Sequence, residues 1–151
     1  MDLVQRLEAI EEIKQLKARY FRCLDTKDWD RFAEVFTSDA QMDMSGEVKG
    51  GDGVTTGSHD IAAFVRRMVG EVTTVHHGHT PEIDVTSPAT ATGVWAMEDK
   101  LRWPAGGPLA AMHGYGHYHD VYEKSEGRWR IKSTTLTRLR VDVEPGQRTS
   151  T

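Results

Sequence analysis

The hydrophobic period of this chain changes once, near residue 72, and that change limits the possible folds more than any other feature. Upstream, Leu3, Leu7, Ile10, Ile13, Leu16, Tyr20 and Leu24 recur at steps of three and four residues. That is the spacing of an amphipathic helix, and Asp2 is placed to cap it. Asp25-Thr26-Lys27-Asp28 interrupts the pattern, and Trp29, Phe32, Val35 and Phe36 then give a short second helix its apolar side. Alternation over Ala40 to Ser45 predicts a strand, and the glycine-rich Gly46 to Gly57 a loop. Ser58 is expected to cap a third helix to about Val69, with Ile61, Phe64, Val65 and Met68 inward. Downstream the period is two. Strands are predicted at 73–79, 81–86, 89–103, 110–123 and 127–142, divided by turn signals at Ser87-Pro88, Pro104 to Gly107 and Glu126-Gly127.

Helices first and strands after predict an α+β fold, a curved antiparallel sheet with about three N-terminal helices on one face. Bent strongly, such a sheet forms a cone around an apolar pocket. Residues 1–143 are read as one domain and 144–151, polar and containing Pro145-Gly146, as a flexible tail. The net charge of −4 is spread over interspersed acids and bases, which leaves no basic footprint for nucleic acid or an anionic membrane surface. No apolar run approaches the roughly 20 residues of a bilayer span. The opening segment MDLVQRLEAIEEIK has no signal-peptide apolar block, and one cysteine, Cys23, cannot make an internal disulfide. A cytoplasmic location is the expectation.

Three of seven histidines crowd into His76-His77-Gly78-His79. His77 with His79, and His117 with His119, are spaced H-x-H, which on a strand puts both rings on one face. With Glu82 they resemble the ligand pattern of cupin barrels, yet those are nearly all β and lack a long opening helix. No metal is therefore expected, and these histidines are read as exposed or interfacial. His76 takes the opposite face with Gly78. On the strand Trp95 to Trp103, the odd positions Trp95, Met97, Asp99, Leu101 and Trp103 share a face. A lone aspartate there is costly to bury unless paired or protonated. Asp99 is thus an active-site acid, the partner of a core arginine, or a residue in an exposed register. Arg138, on a face shared with Leu136 and Arg140, is read as such a partner, as a binder of a substrate oxygen, or as an exposed arginine. Tyr20 lies on the apolar stripe of the first helix, where its hydroxyl needs a partner. Asp25, five residues on, sits about 140° round the helix, so spacing alone does not unite the two.

Several segments together resemble the SnoaL-like branch of the NTF2-like superfamily, and within it the bacterial bile-acid 7α-dehydratases. They are Glu12 to Asp25 (EIKQLKARYFRCLD), His76 to Ile83 (HHGHTPEI), Thr90 to Trp95 (TATGVW) with Glu98-Asp99, and Gly127 to Ile131 (GRWRI). The resemblance spans residues 8–142. It implies an NTF2-like cone-shaped barrel, catalysis without cofactor or metal, and active-site positions at Tyr20, Asp25, His76, Asp99 and Arg138. Scytalone dehydratase and hexachlorocyclohexane dehydrochlorinase look like more distant relatives that pair a helix aspartate with a strand histidine, here Asp25 with His76. The dehydrochlorinase has lysine where Tyr20 stands. The stretch Arg102 to Tyr118 departs from the bile-acid enzymes, so substrate identity transfers least.

The implied function is a lyase removing water from a hydrophobic polycyclic or aryl alcohol. Isomerisation, polyketide cyclisation, dehydrohalogenation and aryl-diol carbon–carbon cleavage need the same base in the same pocket, and a non-catalytic binding module is a further alternative. The expected partner is a hydrophobic small molecule. A homo-oligomer is also expected, a trimer ahead of a dimer, with His117, His119, Tyr118 and Tyr122 covering the open sheet face.

Overall fold

Asp2 opens the first helix in a reciprocal cap: its carboxylate accepts from the Gln5 backbone N–H, and the Gln5 side chain accepts from the Asp2 N–H. The computed structural model describes residues 1–147. Helix α1 is Leu3–Asp25, and α2 is Trp29–Glu34, capped by Asp28. Strand β1 (Phe36–Asp43) and the short β2 (Val54–Thr56) precede α3 (Ser58–Val69). Four long strands complete the chain: β3 (Thr73–Ser87), β4 (Thr90–Arg102), β5 (Leu109–Ser125) and β6 (Arg128–Pro145). They form one six-stranded sheet ordered β2-β1-β6-β5-β4-β3. Ile13, Leu16 and Tyr20 of α1, Phe32 of α2 and Ile61 of α3 pack onto its inner face against Trp95, Tyr118, Tyr122 and Ile131. This is the NTF2-like cone, curved and unclosed.

Several expectations change in detail. The sheet is mixed rather than wholly antiparallel, because β1 runs parallel to β6. β1 begins at Phe36, not Ala40, and the predicted loop contains β2, which pairs antiparallel with β1. Gly57, at φ 100°, caps α3 in place of Ser58, and Met68 is exposed. The two strands predicted at 73–86 are one. Between His79 and Glu82 the register slips by one residue around Pro81, which an edge strand tolerates because proline has no ladder N–H to donate.

β6 continues to Pro145, two residues past the expected domain end, and residues 148–151 of the proposed tail lie outside the described residues. Leu3 and Leu7 lie on the solvent side despite their periodicity. Tyr118 and Tyr122 point into the core, at 3% and 0% exposure, and leave only His117 and His119 of the four expected on the open face. Among the described residues no helix is long and apolar enough to cross a membrane.

Candidate active site

Asp25 is the last residue of α1, where the helix dipole disfavours a carboxylate. Its neighbours compensate. Lys27, held at φ 62°, donates to the Thr74 hydroxyl at 3.0 Å, and Thr74 donates to Asp25 Oδ1 at 2.9 Å. Asp25 Oδ2 accepts from the His76 backbone N–H at 2.9 Å, and Oδ1 lies 2.7 Å from His76 Nδ1. An ionised carboxylate only accepts, so the proton of a neutral His76 sits on Nδ1 and Nε2 carries the free lone pair. The alternation read from sequence holds: His76 and Thr74 face inward, His77 and His79 outward. A Cβ on Gly78 would lie 2.7 Å from the Phe21 ring. That missing side chain lets Phe21 lie parallel to the imidazole, with centroids 6.5 Å apart.

Across the sheet, Asp99 is only 3% exposed, and its Oδ2 lies 3.9 Å from His76 Nε2. Arg138 grips it with two bonds, Nη1 to Oδ1 at 2.7 Å and Nη2 to Oδ2 at 3.0 Å. Asp99 is thus the partner of a core arginine, and it does not sit in an exposed register. The other edge of the guanidinium holds Glu47, Nε to Oε1 at 2.7 Å, brought in by the glycine-rich segment between β1 and β2. Burial pulls the guanidinium down, but the bonds to Asp99 and Glu47 outweigh it and hold Arg138 more firmly charged than usual.

A register slip between Tyr115 and Gly116 places an extra residue, Leu139, in β6. Arg140 consequently pairs with Tyr115 and bonds Asp142 in solvent, off the face it was expected to share with Arg138. Gly114, directly opposite Asp99, leaves the space that the Arg138 guanidinium fills. A Gly114→Ala variant must push apart the ion pair, and overpacking of this kind costs about 1–3 kcal/mol. Its melting temperature should fall by several degrees, as calorimetry would show; an unchanged value would mean that the guanidinium has room to move aside.

Tyr20 lies deeper. Burial, reinforced by the charges of Asp120, Asp99 and Asp25, raises its phenol above the ordinary value. Among the described residues no hydrogen bond joins it to the other four, which form two bonded pairs, Asp25–His76 and Asp99–Arg138, brought together with His76 Nε2 3.9 Å from Asp99. What neighbours Tyr20 was not expected. Lys17 Nζ, fully buried, lies 4.3 Å from the Tyr20 ring centroid and 3.9 Å from that of Tyr118. It donates to Asp120 Oδ2 at 2.8 Å, which also accepts from the Tyr122 hydroxyl at 2.8 Å. Sequence reasoning missed Lys17, Asp120, Thr74 and Glu47. Two open surface concavities, of about 1440 and 620 Å³, contain none of the five residues. The side chains of His76, Asp99 and Arg138 are 8%, 4% and 14% exposed.

A family profile described as a SnoaL-like domain matches residues 5–135. The protein named "Probable cyclase FGR4" of Gibberella zeae is 28% identical over 142 residues, covering 87% of this chain and 92% of that one. A scytalone-dehydratase-like protein from Novosphingobium aromaticivorans superposes with a TM-score of 0.82 at 20% identity, covering 93% of this chain and 91% of that one. Hexachlorocyclohexane dehydrochlorinase (LinA) type 2 gives 0.82 at 16% identity, covering 99% and 98%. The two structural likenesses are of fold.

Proposed function

Because this chain belongs to the SnoaL-like domain family, we propose that it is a lyase that removes water from a hydrophobic polycyclic or aryl alcohol by His–Asp general acid–base catalysis. The observation that carries this reading is the 2.7 Å contact between Asp25 Oδ1 and His76 Nδ1, which frees Nε2 toward the interior. A carboxylate that fixes the tautomer and stabilises the imidazolium makes histidine an effective base near neutral pH.

In the proposed reaction, His76 Nε2 takes a proton from the carbon between a carbonyl and the carbinol. The C–H electron pair becomes the new C=C bond as the C–O bond breaks. The imidazolium returns the proton to the departing oxygen, which leaves as water, and nothing is oxidised or reduced. Both oxygens of Asp99 already accept from Arg138, so the pair serves as a fixed polar wall and the proton comes from His76. Tyr20, buried beside these residues, is assigned the hydroxyl that meets charge developing on the carbonyl oxygen.

One observation favours a second reading. The relative named a cyclase covers nearly the whole chain, and the same base can generate a carbanion that closes a ring. Incubation of aryl and fused-ring β-hydroxyketones in deuterated buffer, followed by mass spectrometry, separates these. The expected product has lost one water and carries a conjugated double bond. Deuterium entry beside the carbonyl without loss of water would retain the base but overturn the dehydratase. No change to any substrate would overturn both.

A further inference from the structure

The histidines on the outer face of the sheet have an arrangement that the proposed chemistry does not use. His77 and His79 project outward from β3, on the side opposite His76. In the β3–β4 register His77 stands directly across from Glu98, and His77 Nδ1 lies 3.4 Å from Glu98 Oε1. One donor atom from each of His77, His79 and Glu98 fits within 4.8 Å of the others. The second Glu98 oxygen lies 3.4 Å from His113 Nε2 on β5, and the Tyr115 hydroxyl, 3.1 Å from His113 Nδ1, holds that ring in place. The slip at Pro81 turns Glu82 onto the same outward face, across from Val94, but the carboxylate within reach of both imidazoles comes from the neighbouring strand.

We infer that His77, His79 and Glu98 form a divalent transition-metal site on the outer face of the sheet, with His113 available as a fourth ligand. The donor set is two or three neutral imidazoles and one carboxylate, which suits zinc and its neighbours and does not suit calcium or magnesium. Tetrahedral ligands about 2.0–2.1 Å from zinc are about 3.3 Å apart, so rotation of the exposed His79 ring is enough to close the set. All four backbone positions are fixed by the β3–β4–β5 ladder, so little ordering is needed. The side chains of His77, Glu98 and His113 are 54%, 26% and 31% exposed, leaving the ion an entry path and an open coordination position. Glu98 is already held below the ordinary carboxylate range by its bond to His77. The ion would bridge the two strands that carry His76 and Asp99 on their other face, stiffening the site without touching substrate.

The test uses the full chain, freed of metal by chelator and titrated calorimetrically with zinc chloride. One zinc per chain with micromolar or tighter affinity is expected. A cobalt(II) titration should develop the visible bands of a four-coordinate ion. His77→Ala/His79→Ala should weaken zinc binding by about 100-fold or more, since loss of an outer partner alone costs ten- to a hundredfold. Glu98→Gln should weaken it too. These are surface positions, and an unchanged circular dichroism spectrum confirms folding. His117→Ala/His119→Ala removes the other H-x-H pair, whose His119 bonds Thr137, and should leave affinity unchanged. If wild type binds no stoichiometric zinc, or the two double variants lose affinity equally, the site is overturned and the histidines are ordinary surface residues.

Discussion

His76→Ala should lower kcat for the elimination by about 10²–10⁴-fold, the usual worth of general acid–base help, without unfolding the protein. The fold should survive because Asp25 keeps two donors, the Thr74 hydroxyl and the backbone N–H of residue 76. Asp25→Asn is the sharper variant. An amide there can present a donor to Nδ1, which drives the ring proton to Nε2 and blocks the base; the same substitution in a Ser-His-Asp triad costs about 10⁴-fold. The two residues act as a unit, so the double variant should be no slower than the worse single one. Steady-state rates at fixed pH, with melting temperatures alongside, decide this. Near-normal turnover in folded His76→Ala removes the imidazole from the mechanism. Losses that simply add would mean that Asp25 and His76 act separately despite their 2.7 Å contact.

The architecture was legible because its two periods are strong and occupy separate halves of the chain. Parity along β3 and β4 correctly put His76 and His77 on opposite faces and Asp99 among apolar side chains, and the resemblance added that His76 is the one facing inward. What defeated parity were the bulges. One extra residue at Pro81 and another at Leu139 turn the strand over, so Arg140 left the face of Arg138 and Glu82 joined the outward face of His79. The β1–β6 pairing is parallel and joins distant segments, and no local turn announces it. The Asp25–His76 pairing came through resemblance, since 51 residues separate them. Glu47 was invisible because it rides on a glycine-rich segment with no pattern of its own.

Lys17 is a different kind of miss, because its signal was present. It stands four residues after Ile13 and three before Tyr20, on the buried stripe of α1, and Asp120 stands between Tyr118 and Tyr122 on the buried face of β5. Each looks like an error in its own segment. Only the fold, which joins positions 103 residues apart, makes them a pair.

Lys17→Met should be among the most destabilising single changes in the chain, by about 3–5 kcal/mol, because it strands a buried carboxylate. Asp120 and Lys17 both have side chains at 0% exposure. Asp120 Oδ1 has no hydrogen-bond partner among the described residues, so without Lys17 the Tyr122 hydroxyl would be its one side-chain donor. Burial lowers the Lys17 ammonium below the ordinary lysine value, with Asp120 opposing, and the Tyr118 and Tyr20 rings supply part of the solvation that water would otherwise give. At about 2–4 °C per kcal/mol for a chain of this size, the melting temperature should fall by roughly 6–20 °C.

Lys17→Met/Asp120→Leu removes both charges and should recover most of that loss, since a buried pair replaced by apolar side chains is often neutral. Recovery would assign the cost of the single variant to the orphaned charge. A double variant as unstable as the single one would mean instead that the polar network through Tyr122 and Trp95, joined at 2.8 Å, is needed to pack the floor of the cone. A loss below about 1 kcal/mol in Lys17→Met, the scale of an exposed pair, would show that water reaches Asp120 and that the two charges are not sealed together.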